Sequence, residues 1–277
     1  MTDVEILQKN LAAADADRRR ADAIEAGQIS ECVQLLRKQG ATDLSPKNAA
    51  SRFHTVFGER PLLSSLYAKY ILQLQKSGMI DTRLFVDKRF PVYGCKLYYS
   101  RSPYTDTAIA KFASVLSSPA LCPEEDLQAI CEAVSSEEHS YGILPIFGTI
   151  DGELPAFTRM IHAYQLKTCA VCDILTSDGE TELRLALLSA DLQYVPDATY
   201  MDLSFLPESG KSLAEALSTL SHFGADIHRI IARPLEYNRS RFLYRITLFA
   251  APEAFSGIAA FARTAMNAGI DGVYPIL

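Results

Sequence analysis

The amino-acid sequence predicts a protein of mixed α+β and α/β class, built from three successive segments. Residues 1–90 show helical periodicity, residues 91–196 alternate short apolar strands with helices, and residues 197–277 give the order βαββαβ. Alternating strands and helices are typical of a largely parallel sheet with helices packed on it. A chain of 277 residues is long enough for two or three domains with separate cores.

The first segment is predicted to contain three or four helices. Ser45 and Pro46 have the residue types of an N-cap and a first helical position, while Gly40 and Gly78 are predicted helix stops. The stretch "IDTRLFVDKRFPV" is predicted to be a linker. The apolar residues at helical spacing are Leu7, Leu11, Ala14, Ile29, Val33, Leu36, Leu62, Leu63, Leu66, Tyr70 and Leu74.

The middle segment is predicted to alternate between strands and helices. The predicted strands are "VYGCKLYY", "YGILPI", "TCAVCDIL" and "TELRLALLSA", the last two joined by the short turn "TSDGE". The predicted helices are "DTAIAKFASVL", "EEDLQAICEAVSS" and "PAFTRMIHAYQL".

The last segment has the clearest pattern. Its strands are "TYMDLSFLP", "ADIHRIIARPLE", "SRFLYRITLFAA" and "IDGVYPIL", with "SLAEALSTLSHFG" and "PEAFSGIAAFARTAMNAG" as helices. This order is that of a split βαβ, the ferredoxin-like sandwich. Gly224 and Gly269 follow the two helices, where we predict left-handed helix caps.

Composition and charge exclude several classes of protein. With 48% hydrophobic and 22% charged residues the chain is of ordinary globular type. The net charge of −6 argues against a general nucleic-acid binder, and the acidic residues around Arg18–Arg20 favour a solvated helix face there. No apolar run approaches the roughly 20 residues that span a bilayer. Because the first residues also lack signal-peptide features, we expect a cytoplasmic protein without membrane or nucleic-acid partners.

No metal site or cofactor is predicted. The six cysteines are scattered, which indicates reduced thiols. Cys169 and Cys172 form a C-x-x-C, but no second ligand pair follows, and in a strand positions three apart point to opposite faces. The five histidines show no triad or metal pattern.

Two stretches resemble known families. The stretch "FGADIHRIIARP" resembles ACT domains, small regulatory modules that bind amino acids, because Gly224, Arg233 and Pro234 match the motif seen in prephenate dehydratases. Ile231 and Ala232 stand where that family has Glu and Ser.

The stretch "YGILPIFGTIDG" is similar to the dehydratase motif in which Pro-Ile precedes Glu-Asn-Ser and a glycine. Pro145, Ile146 and Gly152 agree, while residues 147–149 replace Glu-Asn-Ser with Phe-Gly-Thr. The order of parts resembles the bifunctional chorismate mutase–prephenate dehydratase family, or P-proteins. The resemblance implies a mutase-like helical segment at 1–90, a dehydratase-like domain at 91–196 and an ACT domain at 197–277.

The resemblance also implies catalytic positions, and several have changed. Where the family has a Thr-Arg-Phe strand this chain has Leu183, Arg184 and Leu185, so that Thr149 and Arg184 are the catalytic candidates that remain. Family members carry a second lobe before that strand, whereas here the turn "TSDGE" is too short for one, so the dehydratase-like domain is expected to be truncated to a single lobe. In the mutase-like segment, Gln8 and Glu25 occupy positions where the family has arginines for its dianionic substrate.

The resemblance to ACT domains implies a ligand site. Its candidate residues are Gly210, Ser212, Leu213, Arg233 and Pro234. A lysine, Lys211, stands where the family has glycine, and its side chain would fill the ligand space unless it folds outward.

The favoured hypothesis is a degenerate mutase–dehydratase relative of phenylalanine biosynthesis that has lost both active sites and acts in small-molecule binding or regulation. The small molecule would be an amino acid or a prephenate-like compound. We expect a homo-oligomer, at least a dimer, through the ACT domain, and an authentic enzyme of the aromatic pathway is a further candidate partner. The alternative is an active prephenate dehydratase, a carbon–oxygen lyase, with relocated catalytic groups.

Overall fold

The computed structural model describes residues 3–42, 44–80, 94–193, 197–235 and 238–277. The helices are α1 (Asp3–Lys38), α2 (Pro46–Phe57), α3 (Ser65–Lys76), α4 (Pro103–Phe112), α5 (Leu127–Ser136), α6 (Pro155–Ala163), α7 (Gly210–Leu220) and α8 (Phe255–Phe261). The strands are β1 (Lys96–Tyr99), β2 (Ala120–Pro123), β3 (Ser140–Gly148), β4 (Gly152–Glu153), β5 (Lys167–Leu175), β6 (Thr181–Ser189), β7 (Tyr200–Phe205), β8 (Asp226–Leu235), β9 (Asn238–Phe249) and β10 (Gly269–Tyr274).

The strands form one mixed sheet of ten strands with the spatial order β2-β1-β3-β6-β5-β10-β7-β9-β8, and β4 pairs with β3. Strand β1 is parallel to β2 and β3, as the sequence predicted for this segment. The prediction of a largely parallel sheet is wrong for β6, which is antiparallel to both β3 and β5. The turn over residues 176–180 is too short for the crossover that parallel pairing requires. The short strands β2 and β4 were not predicted.

Strands β7 to β10 have the predicted βαββαβ connectivity. Strand β9 lies between β7 and β8, and β7 lies between β9 and β10, so both helical connections are split βαβ units. Gly224 is left-handed at φ 70°, as predicted. The prediction for Gly269 is wrong, because Asn267 is the left-handed cap at φ 51°. Gly269 instead begins β10, where an added Cβ would lie 2.6 Å from the Ser204 hydroxyl oxygen.

The strands β7, β9 and β10 bury one face beneath helices and carry polar residues on the other. The helix-covered face contributes Met201, Leu203, Ile246, Leu248, Ile270 and Val273 to the main hydrophobic core, together with residues of α7 and α8. Because side chains alternate along a strand, Tyr200, Asp202, Arg245 and Thr247 lie on the opposite face. We call this second surface the polar face. Helices α5 and α6 cover the continuation of this face over β3, β5 and β6 with a smaller core.

The N-terminal helices pack onto the C-terminal ones. The Tyr67 ring lies 6.4 Å from that of Phe261, and its hydroxyl oxygen is 2.9 Å from the Thr264 hydroxyl oxygen. Ser45 caps α2 by accepting a hydrogen bond from the Asn48 N–H, and Pro46 begins the helix, as predicted. The sequence predicted three or four helices here, and the described residues contain three.

Helix α1 is a single rod about 54 Å long at 1.5 Å per residue. Its last turns are buried at Ile29, Val33 and Leu36. Arg18–Arg20 are exposed, which confirms the predicted solvated face. Most of the predicted linker falls in residues 81–93, outside the described residues.

The middle and C-terminal segments are joined by β5 and β10, which pair in parallel with Gly272 opposite Thr168. The contact is so close that a Cβ on Gly272 would lie 2.7 Å from the Thr168 carbonyl oxygen. Only glycine fits this approach without displacement of one strand. The predicted domain boundaries stay a prediction, although strands from both the middle and the last segment belong to one sheet.

Over the described ranges, none of the helices combines the length and the apolar character needed to cross a membrane.

Candidate functional site

The predicted catalytic candidates lie on neighbouring strands. Phe147 of β3 is opposite Arg184 of β6, and the Thr149 N–H just beyond β3 donates to the Glu182 carbonyl at 3.0 Å. The Thr149 hydroxyl donates to the carbonyl oxygens of Thr181 and Glu182. The structure therefore brings the two backbones together, but the hydroxyl is already used by the β6 backbone.

Arg184 is held by a carboxylate from the next strand. Its Nε and Nη2 atoms donate to the two carboxylate oxygens of Asp173 on β5, at 2.6 and 2.8 Å. These hydrogen bonds raise the pKa of the Arg184 guanidinium. The flanking residues Leu183 and Leu185 point to the opposite face and pack in the main core. A bidentate pair of this kind is among the stronger polar interactions in proteins, so Arg184 is not a free anion-binding group.

The turn between β5 and β6 is tightly closed. The Thr176 N–H donates to the Glu180 carbonyl at 2.8 Å, and the Gly179 N–H donates to the Thr176 carbonyl at 3.0 Å. The chain thus passes directly from one strand to its neighbour, with no second lobe between them.

The predicted ligand residues of the α7 loop serve the helix start. Ser209 is the N-cap, and Ser209 and Ser212 form a reciprocal capping box in which each hydroxyl accepts a hydrogen bond from the other residue's N–H. Leu213 packs against the main core. The side chain of Lys211 is 84% exposed and its Nζ lies 3.6 Å from the Glu215 carboxylate, one turn further along the helix. The Lys211 side chain therefore folds outward. The space beside Gly210 is open, because a Cβ added there would have no other atom within 4 Å.

The other two predicted ligand residues lie on β8, and one of them has an internal partner. The Arg233 Nη2 atom is 2.5 Å from the Glu153 carboxylate, which also accepts a hydrogen bond from Thr158 at 3.2 Å. Pro234 pairs with Phe242 on β9. Across the described part of the chain, no hydrogen bond or ion pair joins Arg233 or Pro234 to the α7 loop.

The polar face contains a cluster that the sequence analysis missed. Arg245 is only 8% exposed and its Nη2 donates to Asp202 at 2.9 Å. The second Asp202 oxygen accepts from the Thr247 hydroxyl at 2.6 Å. Burial raises the pKa of Tyr274 well above its ordinary value, and the neighbouring Asp202 carboxylate acts in the same direction. A buried aspartate inside the apolar stretch "YMDLSF" was the available sequence signal.

These residues surround a small cavity of about 40 Å³ where β3, β5 and β6 meet β7 to β10. Its polar walls are Arg184, Glu153, Asp202, Arg229, Arg245 and Tyr274. At its rim the Tyr200 ring stacks on Tyr274 with centroids 6.0 Å apart, and His228 meets Tyr200 edge-on at 5.4 Å. We call this space the arginine pocket.

The C-x-x-C pair lies inside the core. A register irregularity between Thr168 and Ala170 places Cys169 and Cys172 in the same hydrophobic cluster, so the prediction of opposite faces is wrong. Burial raises the pKa of Cys169 to about 12 and that of Cys172 to about 11. Among the described residues no group of three or more His, Cys, Asp or Glu is arranged to hold a metal ion.

Comparison with known proteins gives a match at the level of structure. No family model matches the chain, and no curated protein matches it. Prephenate dehydratase from Streptococcus mutans aligns with 66% of this chain and 98% of its own, at 21% identity and a TM-score of 0.54. The chain has a prephenate dehydratase-like fold. Prephenate dehydratase from Arthrobacter aurescens, solved in complex with L-Phe, aligns with 65% of this chain and 89% of its own, at 13% identity and a TM-score of 0.50.

The dehydratase-like fold agrees with the resemblance first drawn from the stretch around Pro145. At this level of identity it establishes architecture, while activity depends on the site residues themselves.

Proposed function

We propose that this protein is a degenerate relative of the mutase–dehydratase proteins that binds a small molecule and has no dehydratase or mutase activity. In this proposal residues 1–90 are a mutase-like segment, residues 91–196 a single-lobe dehydratase-like domain, and residues 197–277 an ACT domain. The dehydratase-like fold is the basis; the remaining steps come from the chemistry of the sites.

The observation that carries the proposal is the closed turn between β5 and β6. Dehydratases, to which the sequence is similar, hold their substrate in a cleft between two lobes. In this chain Thr176 and Glu180 close the turn with a hydrogen bond of 2.8 Å, at the point where the second lobe would be inserted. A single lobe provides only one wall of such a cleft.

The surviving polar residues also support the loss of activity. Dehydration of prephenate requires a proton donor for the departing hydroxyl and cationic groups for two carboxylates. Leu183 has no proton to donate. The Thr149 hydroxyl is hydrogen-bonded to backbone carbonyls, and Arg184 is paired with Asp173. None of the three is free for that chemistry.

The ACT-like segment keeps open space for a small-molecule ligand. Lys211 turns away from the α7 start, so it does not occupy the space near Gly210 that the family uses for its ligand. The split βαβ order of β7 to β10 is consistent with an ACT domain.

The exposed edge of the sheet supports a homo-oligomer. Strand β8 ends the sheet, and Ile227 and Ile230 on it are 40% and 41% exposed. Unpaired edges of this kind commonly pair with another chain. Light scattering should therefore give at least a dimeric mass, and a strictly monomeric mass would contradict this part of the proposal.

The central experiment incubates the purified protein with prephenate at neutral pH and follows phenylpyruvate against a sample without protein. We expect no acceleration, with circular dichroism showing that the protein is folded. A parallel assay with chorismate tests the mutase-like segment in the same way.

One observation favours an active dehydratase as a second candidate: Arg184 lies on β6, and Thr149 directly follows β3, with which β6 pairs. Protein-dependent turnover that is lost in both Thr149→Val and Arg184→Gln would establish this alternative and overturn the proposal.

A further inference from the structure

The arginine pocket contains two buried donors that no group in the described part of the chain satisfies. Over the described residues, the Nε atoms of both Arg229 and Arg245 are buried without a hydrogen-bond partner. Buried guanidinium N–H groups are normally paired, because an unpaired polar group in the interior destabilises the fold. Two such donors around one cavity point to a ligand that accepts hydrogen bonds.

The charges around the pocket leave one cation in excess. Asp173 pairs with Arg184, Glu153 with Arg233, and Asp202 with Arg245. Arg229 also lines the cavity, but within the described ranges no carboxylate lies within 4 Å of its guanidinium. A single negative charge would therefore neutralise the site. The pocket is therefore positively charged, whereas the protein as a whole carries a net charge of −6.

The neighbouring titratable groups do not supply that negative charge. Burial lowers the pKa of His162; the nearby Asp271 raises it, while Arg245, Arg233 and Lys167 lower it further. Asp271 has Lys167 as its partner, with Nζ and Oδ1 3.4 Å apart. The raised pKa of Tyr274 keeps its hydroxyl protonated and able to donate a hydrogen bond.

The size of the cavity restricts the ligand. A space of about 40 Å³ exceeds the roughly 10–15 Å³ that one water requires, but it is small enough to restrict the occupant to a group of a few atoms. A carboxylate is planar and singly charged and accepts paired hydrogen bonds from guanidinium groups. A phosphate dianion would bring one negative charge too many.

We propose that the arginine pocket binds the carboxylate of a small organic acid, held by Arg229 and Arg245, with the rest of the molecule at the rim beside Tyr200 and His228. This inference goes beyond the proposed function, because it assigns a ligand class to a site that the proposed function does not use. The site lies where the dehydratase-like strands meet the last four strands, so an occupant contacts both. It is separate from the α7 loop, where the family resemblance places an amino-acid ligand.

The first test measures binding of acetate and of phenylpyruvate by isothermal titration calorimetry, with sodium chloride keeping the ionic strength constant. We expect saturable binding of both carboxylates to the wild-type protein. Arg229→Gln should weaken binding about tenfold or more, as expected for loss of hydrogen bonds to a charged group.

Arg241→Gln is the matched control, because it removes the same charge from an exposed position on β9. It should bind as the wild type does. In the absence of ligand, Arg229→Gln should unfold at the same temperature as the wild type or higher, since it removes a cation that has no carboxylate partner among the described residues.

A second measurement uses only the wild-type protein, so it does not depend on whether a variant folds. In ¹⁵N spectra of the wild-type protein, acetate should shift two arginine Nε–H resonances together, and the same concentration of chloride should shift neither. A water molecule in the pocket would give no response to acetate and would overturn the proposal. Binding of inorganic phosphate without acetate would also overturn it, as would equal weakening by Arg241→Gln.

These results are independent of the prephenate assay. Turnover of prephenate together with acetate binding at Arg229 would overturn the proposed loss of activity and leave the pocket intact. No turnover and no response to acetate would overturn the proposal that the pocket binds a carboxylate, and would leave the proposed loss of activity standing.

Discussion

The strands β7, β9 and β10 have two faces that are stabilised in different ways. The helix-covered face buries Leu203 and Ile246 completely among apolar side chains, so its packing excludes water and ligand alike. The polar face buries Asp202 and Arg245 within the same strands, but the Arg245 Nε has no hydrogen-bond partner among the described residues. The comparison teaches that one short sheet can pack one face against helices and keep on the other a small cavity lined by buried polar groups.

The largest expected effect is on the helix-covered face. Leu203→Ala leaves a cavity beneath α7 and α8 and should lower the free energy of unfolding by about 2–5 kcal/mol. Ile230→Ala on the exposed edge of β8 should lower it by less than about 1 kcal/mol, because that side chain is 41% exposed. Urea unfolding of both variants measures the difference, and equal effects would show that the two positions are equally packed.

On the polar face, Asp202→Asn leaves the buried Arg245 without its main counter-charge. Loss of one partner of a buried ion pair costs about 3 kcal/mol or more. Glu153, whose carboxylate is 4.0 Å from Arg245, offsets part of that loss. Urea unfolding should therefore show a destabilisation of about 2–3 kcal/mol for Asp202→Asn, and a change below about 0.5 kcal/mol would mean that Arg245 does not depend on this carboxylate.

The seam between the two groups of strands should be sensitive to a single methyl group. Gly272→Ala places a Cβ against the Thr168 backbone and is expected to lower the free energy of unfolding by about 1–3 kcal/mol. Gly210→Ala is the control, because its Cβ would meet open space. Hydrogen exchange should show faster opening of β5 and β10 in Gly272→Ala only; unchanged protection of these strands would contradict the close approach.

The effect that is smallest at neutral pH is a loss of stability from the buried thiols, which develops only at alkaline pH. Burial raises the pKa of Cys169 to about 12 and that of Cys131 to about 11. The folded protein then keeps these protons while the unfolded chain releases them, so their stabilisation is complete below the ordinary thiol pKa and is lost as pH rises. Each buried thiol should lower the free energy of unfolding by about 1.4 kcal/mol per pH unit above about pH 8.5.

Urea unfolding at pH 8 and at pH 10 tests this prediction. The decrease in stability between the two values should be smaller in Cys169→Ala than in the wild type. An identical decrease would show that another group causes it.

Some features were predictable because they depend on neighbours in the chain. The α2 cap needs only Ser45, Pro46 and the amide of Asn48, all within one helical turn. The short turn between β5 and β6 was also predicted, but the antiparallel pairing that it imposes was not. The strand β2 was missed, because its four residues "ALCP" are mostly exposed and show no apolar alternation. The cap at Asn267 was missed because Asn and Gly both adopt left-handed conformations, and only the start of β10 distinguishes the two positions.

By itself the sequence determined the mixed class, the βαββαβ order of the last segment and the apolar side chains of Phe147 and Leu183, where the resemblance to dehydratases implies polar ones. These follow from local periodicity and from which side chains are present. Only the tertiary structure decided that Arg184 is paired with Asp173, and that Arg229 and Arg245 line one cavity with Nε atoms that lack a partner among the described residues. The physical reason is that such pairings join separate strands, so their geometry exists only after the whole sheet has assembled.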